Sequence, residues 1–361
     1  MSYAAILISR QGMHPSSDSD WVIQARKAAE YIYMQNLSIC SSVGMKTWEL
    51  VTSLASIYKI PIKVILPLPD KTKINSIKEE IYKQFNLDKR LSVIEPLYYP
   101  DKDKANSMRL RDKAVILSSD ILMPISLRKR SSLTELLKFN QKRINKNFMT
   151  EFESVNKRQA YVIEEKDINP EISLISQKYL IHWTRSANQK WPTEKEIDYY
   201  SSILSNSRYP RGAFETLKNI LNRKAIISSS KNMPHKTKTV SFSGLVPAKA
   251  AKLMRWRKRY CQMSLEPYGI GIKSKLAEKL SIFKVHYVQK NQISKFPDDS
   301  KWLTQSVGQF TDWRSEYEYR HKGDFLLKDM SLNDIVIFTK TKEESDEISR
   351  RYQIKSVNML K

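Results

Sequence analysis

Cysteine is nearly absent: the chain of 361 residues holds two, Cys40 and Cys261, far apart and without a histidine at metal-ligand spacing. That excludes a disulfide framework and a structural zinc site, so no metal is expected. No histidine lies within ten residues of Cys261, which therefore reads as a buried packing residue rather than a nucleophile. Glycine is scarce in the first half, where residues 1–170 contain only Gly12 and Gly44, so the GxGxxG dinucleotide fingerprint is missing there. Acidic side chains are outnumbered, 38 Asp and Glu against 62 Lys and Arg, for a net charge of +24. A surplus of that size attracts polyanions and points to nucleic acid, DNA first, as the partner. Long apolar runs are lacking too. The opening MSYAAILISRQGMHP has no basic leader and an apolar run of about six residues, too short for a signal peptide or a membrane span. The expectation is a cytoplasmic chain with no membrane partner.

Apolar residues make up 41% of the chain and aromatics 10%, enough for real cores. The length favours two domains of roughly 150 to 200 residues. Over the first part, short apolar runs alternate with amphipathic segments. AAILIS (4–9), LSICSS (37–42), IKVILPL (62–68), LSVIEPL (91–97), KAVILSS (113–119) and QAYVIEE (159–165) predict strands; 18–36, 45–58, 73–86 and 131–145 predict helices. Continuously apolar strands separated by helices imply an α/β, Rossmann-like parallel sheet over residues 1–168. A linker is expected at about residues 166–178. The texture then changes, with six of the eight glycines and five of the seven tryptophans beyond residue 180, and an α+β domain is expected over 176–361.

In a parallel sheet the ligand crevice lies beyond the carboxyl ends of the strands. The turns there include ISRQG (8–12), SSVGMKTWE (41–49) and RLRDKAVILSSDILMPISLRKRSSL (109–133). In their order these resemble the nucleotide-binding Rossmann family of DprA and the lysine-decarboxylase-like proteins, collectively SLOG. The resemblance covers residues 4–165 and implies a nucleotide ligand in the first domain and a homodimer.

The second part carries four polar, aromatic segments. LIHWTRS (180–186) ends an apolar run at His182 and Arg185, and KTVSFSGLVP (238–247) alternates Val240, Phe242 and Leu245 with Ser241 and Ser243. RWRKRYCQMSLEPYGIGI (255–272) predicts an arginine-rich helix with Trp256 and Tyr260 on one stripe, then a turn and a strand. WRSEYEYR (313–320) predicts a strand whose alternation puts Arg314, Glu316, Glu318 and Arg320 on one face. A salt-bridged exterior strand would look the same. For phosphate contact the best side chains are Arg255, Arg257, Lys258 and Arg259, followed by Arg128 and Arg130 of SLRKR (126–130) and by KRINKNF (142–148).

The order of these segments resembles the ADP-ribosyltransferase fold, in particular DarT-type DNA ADP-ribosyltransferases and a related bacterial family. It rests on Phe242 and Ser243; Leu253, Met254, Trp256, Tyr260, Tyr268 and Gly269; Val285 and Tyr287; and Trp313, Glu316, Glu318 and Arg320. The resemblance implies an enzyme that uses NAD to modify DNA or RNA, in a bacterial or phage conflict system or a DNA-modification system. Glu318, Glu316 and His182 would be catalytic; Arg185, Ser241, Ser243, Tyr268 and Arg320 would bind substrate, with Tyr268 stacked on the nicotinamide. Physically, one carboxylate is enough to steady the oxocarbenium ribose left by nicotinamide departure, and a guanidinium forks onto phosphate. Structural readings stand beside these: a hydrogen-bonded His182, an ion-paired Arg185, and Tyr268 and Trp256 in the core. Two other functions remain open, a base-modifying enzyme that does not use NAD and a non-catalytic nucleic-acid-binding module.

Overall fold

The computed structural model describes residues 2–69, 72–99, 104–153, 163–175, 178–230, 233, 236–257, 261–307 and 313–361. The chain divides into two compact units, Met1–Lys157 with Gln189–Pro210, and Arg158–Asn188 with Arg211–Lys361.

The first unit is built on β1 (Tyr3–Leu7), α1 (Asp20–Met34), β2 (Ser38–Ser42), α2 (Lys46–Ile57), β3 (Ile62–Leu68), α3 (Ile74–Phe85), β4 (Ser92–Tyr98), α4 (Lys104–Leu117), β5 (Ile121–Pro124) and α5 (Ser132–Lys138). All five strands are parallel, in the order β4-β3-β2-β1-β5. Strand alternation explains why both faces need helices: Ala4, Ile6 and Ile8 enter one core with α1, α2 and α3, while Ala5 and Leu7 enter another with α4 and α5. This is the expected Rossmann-like α/β sheet. KAVIL, expected as a strand, is the end of α4. Its buried positions, Ser107, Arg111, Asp112, Val115 and Ile116, recur at the spacing of a helix, so the apolar run is one helical face rather than a pleat. Of QAYVIEE, residues 159–162 lie outside the described residues, and a 3-10 turn follows at Glu165–Asp167.

After α5 the chain forms α6 (Glu171–Ile175) and β6 (Tyr179–Trp183) of the second unit, then returns to the first for α7 (Glu196–Ser205), whose Tyr199, Tyr200 and Ile203 are buried in the first core. The stretch expected as a linker contributes instead to a core, since Ile168 and Ile172 are buried with β6.

The second unit continues with α8 (Ala213–Arg223), β7 (Ala225–Ile226), β8 (Thr239–Ser243), α9 (Pro247–Ala251), β9 (Trp256–Arg257), β10 (Gln262–Met263), β11 (Gly269–Lys273), β12 (Ile282–Lys284), β13 (His286–Val288), β14 (Thr304–Ser306), β15 (Glu318–Lys322), β16 (Phe325–Leu326), β17 (Ile335–Thr339), α10 (Lys342–Tyr352) and β18 (Ser356–Asn358). Seven strands form a mixed sheet in the order β12-β15-β8-β6-β11-β17-β18, antiparallel except for β17 with β18, which makes this unit α+β as expected. One face packs on α8 and α10 through Leu180, Val240, Phe242, Ile270 and Ile337; the other packs on α6 and α9 through Ile181, Trp183, Val336 and Phe338. The YGIGI run has a packing reason. A Cβ on Gly269 would sit 2.9 Å from Ile181 and Trp183, and one on Gly271 2.7 Å from Val336, so bare glycine lets the neighbouring strands' side chains close over β11.

Candidate active site

The two faces of this sheet sort the sequence-predicted residues. Ser241 and Ser243 point away from the α8 core that holds Val240 and Phe242. In antiparallel register, Glu318 lies opposite Ser243 and Arg320 opposite Ser241, so all four share one face while Tyr319 packs on the other. The pairing of Ile181 with Ser243 places Ile181 on that same face, and hence His182 on the opposite one. There the imidazole meets Phe242 edge to face, ring centroids 6.0 Å apart, and Nδ1 lies 2.8 Å from the Ser241 carbonyl oxygen. Burial lowers its pKa and keeps it neutral. The structure therefore places the His182 ring on the sheet face opposite Ser241, Ser243, Glu318 and Arg320, bonded to the backbone through Nδ1.

Glu318 and Arg320 form a fork-to-fork ion pair, with Nε and Nη2 each 2.9 Å from a carboxylate oxygen. The remaining Arg320 donors reach the carbonyls of Trp302 and Thr304 and the Gln305 side chain. All five N–H groups are thus committed within the fold, on a side chain 1% exposed. Arg320, expected to bind substrate, spends its donors on the chain itself. Glu318 also accepts from Ser241 Oγ at 2.7 Å. Ser243 Oγ donates to the Glu316 carbonyl at 3.0 Å, so both serine hydroxyls serve the turn and the pair.

WRSEYEYR is not one strand. Trp313–Glu316 is a 3-10 turn, Tyr317 adopts the left-handed region (φ 46°), and β15 starts at Glu318. That single residue breaks the alternation, and Glu316 leaves the strand altogether. Its side chain remains 34% exposed, 3.5 Å from Arg257 Nη2. Burial and then the neighbouring Glu318 raise its pKa, against the pull of Arg257, Arg255 and Arg185. One carboxylate, short of strong hydrogen bonds, thus lies 3.5 Å from one guanidinium and feels the charge of two more.

Those arginines come from places the sequence misjudged in form. Trp256–Arg257, expected in a helix, is instead a short strand paired antiparallel with Gln262–Met263, and Tyr260, the other half of the expected stripe, lies outside the described residues. Lys258 and Arg259 lie outside the described residues. Arg255 is exposed, Arg185 donates to the Ser264 carbonyl at 3.3 Å, and Cys261, expected to be buried, is exposed on the hairpin with φ 47°. Tyr268 belongs to the core, 6% exposed against Phe214, and its hydroxyl donates to Glu344 at 2.9 Å; it is not placed to stack on a ligand.

Two neighbours were given no role by the sequence. Glu266 is 6% exposed, accepts from the Ser186 amide at 2.6 Å, and its charge supports Arg185. The Tyr287 hydroxyl accepts from the Glu318 amide at 3.3 Å, and burial pushes its pKa up to about 12. A lone Glu just before the YGIGI strand was the only sequence signal for the first; the second needed the fold. Among the described residues no group of three or more His, Cys, Asp or Glu could hold a metal ion, and no helix is long and apolar enough to cross a membrane.

In the first unit, the turns beyond the strands are tied to one another. Ser9 N–H donates to the Ser126 carbonyl at 3.0 Å, and Arg128 N–H to Ser9 Oγ at 3.0 Å. At the start of α2, the Gly44 amide donates to Glu49 Oε1 at 3.0 Å, so this turn holds the chain's own carboxylate where a nucleotide phosphate was expected. Burial pushes Lys46 down to about 8, and its ammonium donates to the Met13 carbonyl at 2.7 Å. Arg128 and Arg130 are exposed after β5.

No family model matches the chain, and no curated protein matches it. Among solved structures it is similar to DNA processing protein A from Helicobacter pylori, in a study of that protein's single-stranded DNA binding mode, at 15% identity and a TM-score of 0.29. The match covers 40% of this chain and spans 63% of the length of that one, a likeness too loose to carry an argument about either fold or function.

Proposed function

We propose that the second unit transfers ADP-ribose from NAD, as substrate, to nucleic acid, with Glu316 as the catalytic carboxylate. The observation that carries this reading is a partly exposed carboxylate 3.5 Å from the Arg257 guanidinium, in the field of Arg255 and Arg185, with its pKa raised by burial. The donor set fits a dinucleotide: planar guanidinium groups take the pyrophosphate, and the carboxylate takes a ribose hydroxyl beside the reacting carbon. As the glycosidic C–N bond breaks, its electron pair leaves with neutral nicotinamide and positive charge spreads over the ribose. Glu316 then stabilises a charge that the ground state lacks. The acceptor's nitrogen or oxygen lone pair forms the new bond to the ribose carbon, and the acceptor proton goes to Glu316 or water. Glu318, held by Arg320 and Ser241, acts one step back: its fixed charge raises the affinity of Glu316 for a proton.

The net charge of +24 supports nucleic acid as acceptor. The test is incubation of the full chain with NAD and mixed DNA and RNA, read by mass spectrometry of the nucleic acid. The reading predicts an NAD-dependent gain of one ADP-ribose with wild type and none with Glu316→Gln. A product formed without NAD would support the base-modifying alternative instead, and binding without any product would support the non-catalytic one.

A further inference from the structure

Tyr317 is the only aromatic among the described residues with a positive φ. Left-handed backbone is unfavourable for a residue with a bulky Cβ substituent, and such outliers persist where the surroundings hold them, often beside functional sites. Here the surroundings are visible. The Tyr317 amide donates to the Arg314 carbonyl at 3.3 Å, and its carbonyl accepts from the Gly244 amide at 2.9 Å. A Cβ on Gly244 would lie 2.9 Å from the Tyr319 ring, so bare glycine lets that ring pack against the turn. The consequence is that a tyrosine which strand alternation would have turned inward beside Tyr319 is instead 53% exposed. The Lys284 ammonium, from edge strand β12, stands 5.3 Å from the ring centroid. The next residue in the chain on either side is a site carboxylate, Glu316 or Glu318.

We infer that Tyr317 is a stacking platform for an unpaired base of the acceptor nucleic acid, with Lys284 on its phosphate, holding the acceptor next to Glu316. This rests on the transfer reading for its purpose but not for its test. The ring face opposite the Lys284 ammonium takes any base, and the lysine takes the backbone, so the pair favours single-stranded over duplex nucleic acid. A duplex keeps its bases stacked and offers the ring nothing.

The experiment measures binding of the full chain to a fluorescein-labelled single-stranded DNA oligonucleotide and to its duplex, without NAD. The variants are Tyr317→Phe and Tyr317→Asn; asparagine tolerates the left-handed backbone, so the second keeps the turn while removing the ring. Wild type and Tyr317→Phe should bind the single strand alike and tighter than the duplex, and Tyr317→Asn should bind it about tenfold more weakly while melting no lower than wild type. Equal single-strand affinity for Tyr317→Asn and wild type would overturn the platform, as would a duplex bound as tightly as the single strand. If wild type transfers ADP-ribose to nucleic acid yet Tyr317→Asn binds normally, the platform alone fails. If wild type binds the oligonucleotide through Tyr317 but no NAD-dependent product forms, the transfer reading alone fails.

Discussion

Replacing Arg320 by methionine should unfold the second unit at a markedly lower temperature. The substitution keeps side-chain length but removes five donors, leaving the Trp302 and Thr304 carbonyls, the Gln305 side chain and the Glu318 carboxylate without their partner. Glu318 is 13% exposed and Arg320 1%, so water cannot take the place of the missing donors. Removing one partner of a buried ion pair costs about 3 to 5 kcal/mol, because the stranded charge stays behind. For a unit of this size each kcal/mol moves the melting midpoint by roughly 2 to 4 °C, so the drop should be about 6 to 20 °C. Glu318→Gln strands the guanidinium in turn and should also destabilise, whereas the double variant Glu318→Gln/Arg320→Met should lose less than the sum of the two. Calorimetry of the four proteins tests this. An Arg320→Met protein that melts with wild type, or strictly additive losses, would refute the claim that the pair is one buried structural unit.

Four further outcomes follow from the same geometry. Gly271→Ala presses a methyl against Val336 and Phe338 at 2.7 and 3.0 Å and should destabilise the second unit by about 1 to 3 kcal/mol, measurable by denaturant midpoint. Arg255→Ala with Arg257→Ala should weaken oligonucleotide binding and flatten its salt dependence by about 0.7 to 0.9 in log–log slope for each phosphate left without its guanidinium. Glu316 has its pKa raised in the fold, so the folded state holds that proton more tightly than the unfolded chain does; its stabilising effect is present at acid pH and fades as pH rises through the folded value. Transfer, which needs the carboxylate, should accordingly fail on the acid side at a higher pH than an ordinary glutamate would give, seen in a pH–rate profile. Lys46 is shifted the other way, down to about 8, so the unfolded chain binds the proton more readily between about 8 and 10.5 and the first unit should gain stability as pH rises across that window. Lys46→Met should abolish that gain in a melting series.

The first unit was legible because its signals are local. Short, continuously apolar runs and period-3.6 stripes gave β1 to β4 and α1 to α3 within a residue or two. KAVIL failed because a short apolar run is the same text for a strand and for one side of a helix; only the buried Arg111 and Asp112 upstream reveal the longer period. In the second unit, the strands around Ser241, Gly269 and Tyr287 were found, but faces were not. His182 and Glu318 are close in topology yet separated by the thickness of a sheet, and only strand register says so. The turn at Tyr317 is bonded to Gly244, more than seventy positions away, and WRSEYEYR alone reads as unbroken alternation. The Lys46–Glu49–Tyr200 neighbourhood likewise joins α2 to a helix that follows an excursion into the other unit, with Tyr200 donating to Glu49 at 2.7 Å.

The proposed chemistry stands on Glu316 rather than Glu318 as the reacting carboxylate. The rate of nicotinamide release from NAD in the presence of single-stranded DNA, compared for wild type and Glu316→Gln with melting temperatures measured alongside, tests it most directly. A reacting Glu316 predicts a fall of about 100-fold or more with an unchanged midpoint. Release by Glu316→Gln at the wild-type rate would contradict it.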